Sequence, residues 1–160
     1  MEIRAATAAD VPAVVTMVEH LVELHRAWDR AKYDYVPGIA GMYTSWLTAR
    51  ASDPRAVFLV AHRESRGPVG FLIGAVEQEI PIYRVNEFGF IHDLWVDQDY
   101  RNEGVARQLV MRAVERFTEI GVAQVRLDTA AANDVARRLF EGCGFRVSTI
   151  EMLREQERGA

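Results

Sequence analysis

The sequence is poor in cysteine, in lysine and in long apolar runs. Cys143 is the only cysteine among 160 residues, which excludes an intrachain disulfide and a metal site built from several cysteines. No apolar run approaches the roughly 18 residues of a membrane-spanning helix. The first residues, MEIRAATAADV, lack the apolar centre of a secretory signal peptide. We therefore expect a soluble, cytoplasmic protein without a membrane partner.

The chain also has fewer basic than acidic residues. The chain has 19 basic and 23 acidic residues and a net charge of −4, and Lys32 is its only lysine. This balance argues against a nucleic-acid partner, because domains that bind nucleic acid are usually strongly basic. It favours a cationic substrate, although salt screens the effect. The 49% hydrophobic content suits a substantial core, so we treat residues 1–160 as a single domain.

The most informative stretch of the chain is residues 91–109, IHDLWVDQDYRNEGVARQL. A short apolar run that ends at Val96 predicts a buried strand, and a polar turn follows it. Gly104 then opens a helix whose apolar positions follow helical spacing. Asn102 suits the N-cap of this helix, and Gly121 suits its C-terminal stop. The pattern therefore predicts a strand that leads through a turn into a central helix.

A strand that runs into a glycine-bearing helix start can bind an anion. The first amides of a helix have no intrahelical partner, and the helix dipole adds partial positive charge there. The small residues Gly104 and Ala106 let a phosphate approach the backbone, and Arg101 and Arg107 add charge beside it. We interpret the turn as a pyrophosphate cradle. It matches neither the Walker A loop nor the three-glycine dinucleotide motif, so an ordinary strand-turn-helix is the alternative from these residues alone.

The rest of the chain alternates strands with helices. Strands are predicted at residues 2–5, 56–62, 69–77, 88–96, 122–128 and 145–153. Helices are predicted at residues 7–24, 39–47, 104–120 and 133–141, and the first begins with a capping box formed by Thr7 and Asp10. Residues 25–37 show too little periodicity for an element and are predicted to form a loop on the substrate side. The central strand-helix-strand segment implies a parallel pair with a right-handed crossover.

Two separated segments resemble motifs of the GNAT superfamily of acyl-CoA-dependent N-acyltransferases. VDQDYRNEGVARQLV resembles V-D-P-x-Y-R-G-x-G-[IV]-[GA]-x-x-L, and NDVARRLFEGCGF resembles N-x-x-A-x-x-[LF]-Y-x-x-x-G-F. Either motif alone is weak, whereas both together, in this order and at this spacing, are specific. The resemblance implies an α/β (α+β) GNAT fold. Its central sheet would be mixed and mostly antiparallel, with six to seven strands, about four helices and parallel strands that splay apart at the cofactor cleft.

The resemblance also implies acetyl-CoA as a co-substrate and no metal ion. The pyrophosphate would bind the turn and helix start, which comprise Arg101, Asn102, Glu103, Gly104, Val105, Ala106 and Arg107. The backbone of the preceding strand would bind the pantetheine arm through Leu94, Trp95 and Val96. Further positions that match the cofactor side of the family pattern are Asn133, Arg137 and Phe140. Asn133 suits a helix N-cap equally well. For Arg137, a solvated helix arginine is the favoured interpretation.

The chain departs from the family pattern at two places. Asn102 and Glu103 stand where the family usually has Gly-x, which a cradle built on backbone amides tolerates if the glutamate points away. Phe140 stands where the family frequently has a tyrosine that protonates the departing thiolate, and phenylalanine cannot donate a proton. The group that would protonate the leaving thiolate is therefore left open.

The reaction implied by the resemblance is direct attack of an amine on a thioester, which requires a base because an ammonium is not nucleophilic. The candidate bases are His92, Asp93, Glu77 and Glu79. Strand alternation places His92 on the face of Leu94 and Val96 and points Asp93 the other way, unless a bulge changes the parity. A partly buried, hydrogen-bonded structural histidine is the alternative for His92.

The function predicted on these grounds is acetyl transfer from acetyl-CoA to a primary amine of a small molecule or peptide. The direct attack would take place in a ternary complex. A non-catalytic acyl-CoA-binding module of the same fold is the alternative, and Phe140 is the feature that supports it. A nucleotide-binding protein of unrelated fold is disfavoured by the second motif. Exposed strand edges and the habit of the family allow a homodimer.

Overall fold

A mixed five-stranded sheet forms the centre of the computed structural model, which describes residues 1–157. Its strands, in spatial order, are β1 (Glu2–Ala5), β2 (Ala56–Arg63), β3 (Gly67–Gln78), β4 (Glu87–Val96) and β5 (Val125–Leu127). The helices are α1 (Val11–Trp28), α2 (Arg30–Tyr33), α3 (Ile39–Ala51), α4 (Val105–Ile120) and α5 (Asp134–Gly142). Strands β1 to β4 are antiparallel, and β5 joins β4 in parallel. The predicted fold class and splayed cleft are confirmed.

The two faces of the sheet carry separate apolar cores. Helices α1 and α3 cover one face, which we call the α3 face, where Val14, Leu47 and Phe71 are buried. Helices α4 and α5 cover the other face, the α4 face, where Leu109 and Phe117 are fully buried. Fully burying such a side chain contributes about 1.5–3 kcal/mol. A functional group on β4 therefore belongs to one of two distinct environments, depending on the face to which it points.

Glycine lets α4 lie close against the sheet. A Cβ added at Gly89 of β4 would lie 2.6 Å from ring atoms of Phe117, a distance that side chains do not tolerate. A Cβ at Gly74 of β3 would lie 2.6 Å from the Phe90 carbonyl oxygen and 3.0 Å from Phe117. The glycines therefore let the C-terminal part of α4 pack closely against the first half of β4.

The parallel pairing of β4 with β5 is short. It runs from the Gly89–Val125 pair to the Ile91–Leu127 pair, while β4 itself continues to Val96. The last five residues of β4 therefore pair only with β3 within the described part of the chain. This free edge is the predicted splay, and it opens toward the turn that precedes α4.

The predicted capping box forms on a 3₁₀ turn, Ala8–Asp10, that leads directly into α1 at Val11. The Thr7 amide donates to the Asp10 carboxylate at 2.8 Å, and Arg4 contacts both carboxylate oxygens at 2.8 Å. The Arg4 guanidinium holds the pKa of Asp10 well below its usual range, at about 2, against the opposing effect of burial. The capping box therefore also ties β1 to the start of the helical layer.

Two predicted secondary-structure elements, one loop and one strand, are wrong. The predicted loop at residues 25–37 is largely helical, because α1 continues to Trp28 and α2 follows it; the His25 ring packs 5.5 Å from Trp28 and 5.0 Å from Tyr33. The predicted last strand, residues 145–153, has no strand partner among residues 1–157, and residues 146–157 are all exposed. The sheet therefore has five strands in the described chain instead of six to seven.

No helix in the described range 1–157 combines the length and apolar character that crossing a bilayer requires.

Candidate active site

A β-bulge at His92 organises the free end of β4. Across β3 and β4, Ile73 lies opposite Asp93 while Gly74 lies opposite Ile91, so His92 is the extra residue. Because the bulge shifts the alternation by one, His92 and Asp93 both face α3. The expectation that His92 shares a face with Leu94 and Val96 is therefore wrong, since those two side chains pack into the core of the α4 face.

His92 is held by a carboxylate and two aromatic rings. Its Nε2 lies 2.9 Å from Oε1 of Glu77, which projects from the neighbouring strand β3. The centre of its ring lies 5.4 Å from the ring centre of Trp46 of α3, edge-on, and 5.0 Å from the ring centre of Phe90. The side chain keeps 29% of its surface exposed. A histidine fixed by a carboxylate and still open to solvent has the geometry of an oriented general base.

Asp93 lies beside His92 in a less hydrated position. The Tyr43 hydroxyl of α3 donates to its Oδ2 at 3.4 Å. Burial raises the pKa of the Asp93 carboxyl. Burial, with the Asp93 charge as a smaller contribution, also raises the pKa of Tyr43. Tyr43 therefore stays protonated and serves as a hydrogen-bond donor.

These groups line one pocket. It has a volume of about 380 Å³ and is lined by Met42, Tyr43, Trp46, His92 and Asp93. The structure thus brings three of the four candidate bases together, with His92 and Asp93 in the pocket wall and Glu77 hydrogen-bonded to His92. Glu79 instead pairs with Arg126 at 2.6 Å. Sequence reasoning treated Met42, Tyr43 and Trp46 only as markers of a helix.

Helix α4 starts with a left-handed glycine. Its N-cap is Gly104, with φ 78°, and Asn102 lies before it with φ 64°. The predicted N-cap at Asn102 is therefore wrong, because the turn needs two left-handed residues before the helix. The Gln108 amide donates to the Gly104 carbonyl at 3.0 Å, so the amides of the preceding first turn have no intrahelical acceptor.

The charged side chains of this turn hold the scaffold. Nε of Arg101 donates to the Val96 carbonyl at 2.9 Å, and its guanidinium lies 4.7 Å from the centre of the Trp95 ring. Nη1 of Arg107 donates to the Gly142 carbonyl at 2.6 Å, which joins α4 to the end of α5. Glu103 pairs with Arg63 at 3.6 Å. Positive charge thus stays near the helix start while the glutamate is engaged by β2.

The candidates on α5 have structural partners. The Asn133 side chain accepts the Ala136 amide at 3.1 Å and so caps the helix. Arg137 pairs with Asp134 one turn away. Phe140 is 8% exposed and packs 5.8 Å from Phe145. The N-cap interpretation of Asn133 is therefore confirmed, whereas contact of these three residues with a cofactor stays a prediction.

No group of three or more histidine, cysteine, aspartate or glutamate side chains within residues 1–157 is arranged to hold a metal ion.

Comparison with known proteins matches most of the chain to one family. The model of the Acetyltransferase (GNAT) family matches residues 16–145. N-acetyltransferase 8 of Homo sapiens is 30% identical over 102 residues, which cover 64% of this chain and 42% of that protein. N-alpha-acetyltransferase 30 of Saccharomyces cerevisiae is 31% identical over 78 residues, which cover 49% of this chain and 43% of that protein. The chain thus spans less than half the length of these curated relatives.

Among solved structures, a mutant of the BH1408 protein from Bacillus halodurans has the same fold. It superposes with a TM-score of 0.86 at 21% identity and covers 98% of this chain and 99% of that one.

Proposed function

Because the chain belongs to the GNAT acetyltransferase family, we propose that it transfers an acetyl group from acetyl-CoA to a primary amine. The amine attacks the thioester directly within a ternary complex. The observation that carries the proposal is the 2.9 Å contact between Glu77 and His92, located at the bulge of β4 and at the edge that β5 leaves free. A fixed base and an open strand edge are the two parts that this reaction requires.

The turn before α4 fits the pyrophosphate of acetyl-CoA. A Cβ added at Gly104 would meet nothing within 4 Å, so the space above the helix start is open. The amides of Val105, Ala106 and Arg107 lie at the positive end of the helix dipole. Arg101 and Arg107 contribute charge from beside the site, and Asn102 and Glu103 complete the turn. We assign this segment to the diphosphate.

The free edge of β4 fits the amide-rich pantetheine arm. Leu94, Trp95 and Val96 follow the last β4–β5 pair at Ile91, and unpaired strand groups need hydrogen-bond partners. An arm that runs along this edge from the helix start would bring its thioester toward His92. From the family pattern, we assign Asn133, Arg137 and Phe140 of α5 to the same cofactor.

His92 accepts a proton from the amine as the new carbon–nitrogen bond forms. Glu77 orients the imidazole and stabilises its protonated form. The carbon–sulfur bond then breaks, and the thiolate leaves and takes a proton from water. Phe140 cannot supply that proton. A thiol near the reference cysteine pKa of about 8.5 leaves with modest help, so the enzyme is slowed without being silenced.

The α-amino group of a peptide is the acceptor that we favour. The support is the yeast relative, whose name specifies N-alpha-acetylation. A small-molecule amine is the second candidate, favoured by the modest pocket volume of about 380 Å³. Thiol release from acetyl-CoA, measured with a panel of short peptides and of simple amines, separates the two.

The alternative of a non-catalytic acyl-CoA-binding module makes a different prediction for the same assay. It predicts binding of acetyl-CoA without amine-dependent thiol release. The Glu77–His92 contact supports catalysis, since a binding module has no need of an oriented base.

A homodimer and a cytoplasmic location stay predictions. The dimer is supported by two features of the described chain. One edge of β5 pairs with no strand within residues 1–157. The segment that follows α5 exposes Val147, Ile150, Met152 and Leu153. Exposed apolar side chains and an unpaired strand edge both favour pairing with a second copy.

A further inference from the structure

The pocket between α3 and β4 combines aromatic walls with a carboxylate. Trp46 meets Tyr43 edge-to-face at 5.9 Å and His92 at 5.4 Å. Met42 completes the apolar wall, and Asp93 supplies the carboxylate. Met42 keeps 60% of its surface exposed, which places it at the mouth of the pocket. Such a pocket offers a ligand a large apolar contact surface and one charged contact.

The Asp93 carboxylate is short of hydrogen-bond donors. Within residues 1–157 it accepts a single hydrogen bond, from Tyr43 at the long distance of 3.4 Å. No arginine or lysine forms an ion pair with it in that range. The neighbouring charged groups are His92 on its own strand and Glu77 on β3, and Glu77 is already paired with His92. A carboxylate in a desolvated position is costly unless a cation or further donors complete its shell.

The missing partner fits the reactant that the proposed reaction requires. A primary amine carries three N–H donors and a positive charge when it arrives from water. Ring faces such as those of Trp46 and Tyr43 attract a cation electrostatically. The walls provide few hydrogen-bonding groups apart from Tyr43, His92 and Asp93. A polyhydroxylated acceptor would therefore lose water contacts that this pocket does not replace.

Resting on the proposed acetyl transfer, we propose that this pocket selects an amine that carries an apolar group next to its nitrogen. Asp93 binds the incoming ammonium, and Trp46 and Met42 pack against the apolar group. Among peptides, the acceptor class is one whose first residue is aromatic or aliphatic. Among small molecules, it is an arylalkyl or branched alkyl amine. Asp93 is thus a binding residue for the acceptor, while His92 remains the base.

The charge of Asp93 is tested with Asp93→Asn, which keeps the size of the side chain and its ability to accept from Tyr43. With 2-phenylethylamine as acceptor we expect KM to rise about 10- to 100-fold, the loss typical of one charge-assisted hydrogen bond. We expect kcat to stay within about threefold and the Kd of acetyl-CoA to be unchanged. Glu115→Gln removes an exposed carboxylate from the outer surface of α4 and should alter none of these values.

The apolar wall is tested by acceptor selectivity, which does not depend on the Asp93 variant. Wild-type enzyme should prefer 2-phenylethylamine and 3-methylbutylamine to glucosamine by at least about tenfold in kcat/KM. It should likewise prefer tripeptides that begin with phenylalanine or leucine to those that begin with aspartate. Trp46→Ala should remove most of the preference, because one buried aromatic contact is worth about 1.5–3 kcal/mol.

Three outcomes would overturn the proposal. A wild-type preference for glucosamine or for acidic first residues would exclude an apolar acceptor while leaving acetyl transfer intact. An Asp93→Asn variant with unchanged KM but reduced kcat would make Asp93 part of the proton pathway and not the ammonium site. Absence of thiol release with every amine, despite bound acetyl-CoA, would overturn the proposed function and this inference with it.

Discussion

Nε2 of His92 lies 2.9 Å from Oε1 of Glu77, although the two residues are 15 positions apart and belong to different strands. Alternation from the buried Ile91 points the imidazole toward the α3 face, where Glu77 projects. The bulge at His92 then brings Asp93 to that face as well. Strand alternation and one backbone irregularity together bring His92, Asp93 and Glu77 beside the strand edge that β5 leaves open.

The pyrophosphate cradle is tested at Gly104 with two variants of equal size. Gly104→Asp and Gly104→Asn both place a side chain on a left-handed backbone position that these residue types tolerate best. The aspartate adds negative charge where a diphosphate would approach, so its Kd for acetyl-CoA should rise at least about 100-fold. The asparagine variant should lose much less affinity. Isothermal titration calorimetry gives both values, and equal affinities in the two folded variants would place the diphosphate elsewhere.

The Arg4–Asp10 pair should make the free energy of unfolding depend on pH. The Asp10 pKa is lowered from 3.8 to about 2, so the folded state favours the ionised carboxylate. Its contribution is fully present above about pH 4 and is lost as the pH falls through about 2. The shift corresponds to about 2 kcal/mol.

Urea unfolding of wild type and Asp10→Asn measures this contribution. The variant should be less stable by about 2 kcal/mol at pH 7, and the difference should shrink steadily below pH 4. Asp99→Asn is the control, because the Asp99 side chain is 75% exposed and should change stability little at any pH. A constant difference between wild type and Asp10→Asn from pH 7 to pH 2.5 would show that the carboxylate charge is not the cause.

The exposed C-terminal segment is tested through the oligomeric state. Light scattering should give twice the chain mass for wild type and a smaller mass for Ile150→Asp, because a charge at this apolar position opposes pairing with a second copy. Ser148→Asp, at an exposed polar position of the same segment, should leave the dimer intact. If wild type has the mass of a single chain at two concentrations that differ 100-fold, the proposed homodimer is wrong.

Local signals in the sequence were sufficient for several parts of the fold. Thr7 and Asp10 form the predicted capping box, and Gly121 ends α4 in a left-handed conformation. These features depend only on residues within one turn of each other. The splayed strand pair followed from the resemblance, since both of its strands lie beside the matched motifs.

Features that depend on distant partners could not be predicted. The sheet face to which His92 and Asp93 point depends on how β3 and β4 pair around the bulge. The periodicity of the β4 sequence does not reveal that pairing. Residues 145–153 alternate like a strand, but a strand needs a neighbour, and residues 1–157 provide none. The helical content of residues 25–37 depends on ring packing around His25, which residue-by-residue propensity does not show.

The Met42, Tyr43 and Trp46 wall was missed for a related reason. The sequence indicates only that its residues lie on a helix, and large apolar residues of a helix usually belong to the core. In this chain only Leu47 of α3 is buried, so the aromatic face is left beside β4 and lines the pocket. Whether these side chains enter the core or line a pocket depends on how α3 packs against the sheet. The sequence of α3 alone does not predict that packing.

The central claim is that His92, oriented by Glu77, is the base for acetyl transfer to an amine. The most direct test is the pH dependence of kcat/KM for His92→Ala and wild type, followed by thiol release, with His62→Ala of β2 as the matched histidine control. We predict a loss of about 10²–10⁴-fold at pH 7. The difference in kcat/KM between His92→Ala and wild type should decrease as the pH rises, because free amine no longer needs a base. The Kd of acetyl-CoA should stay unchanged. A His92→Ala enzyme that keeps wild-type kcat/KM at every pH would contradict the account.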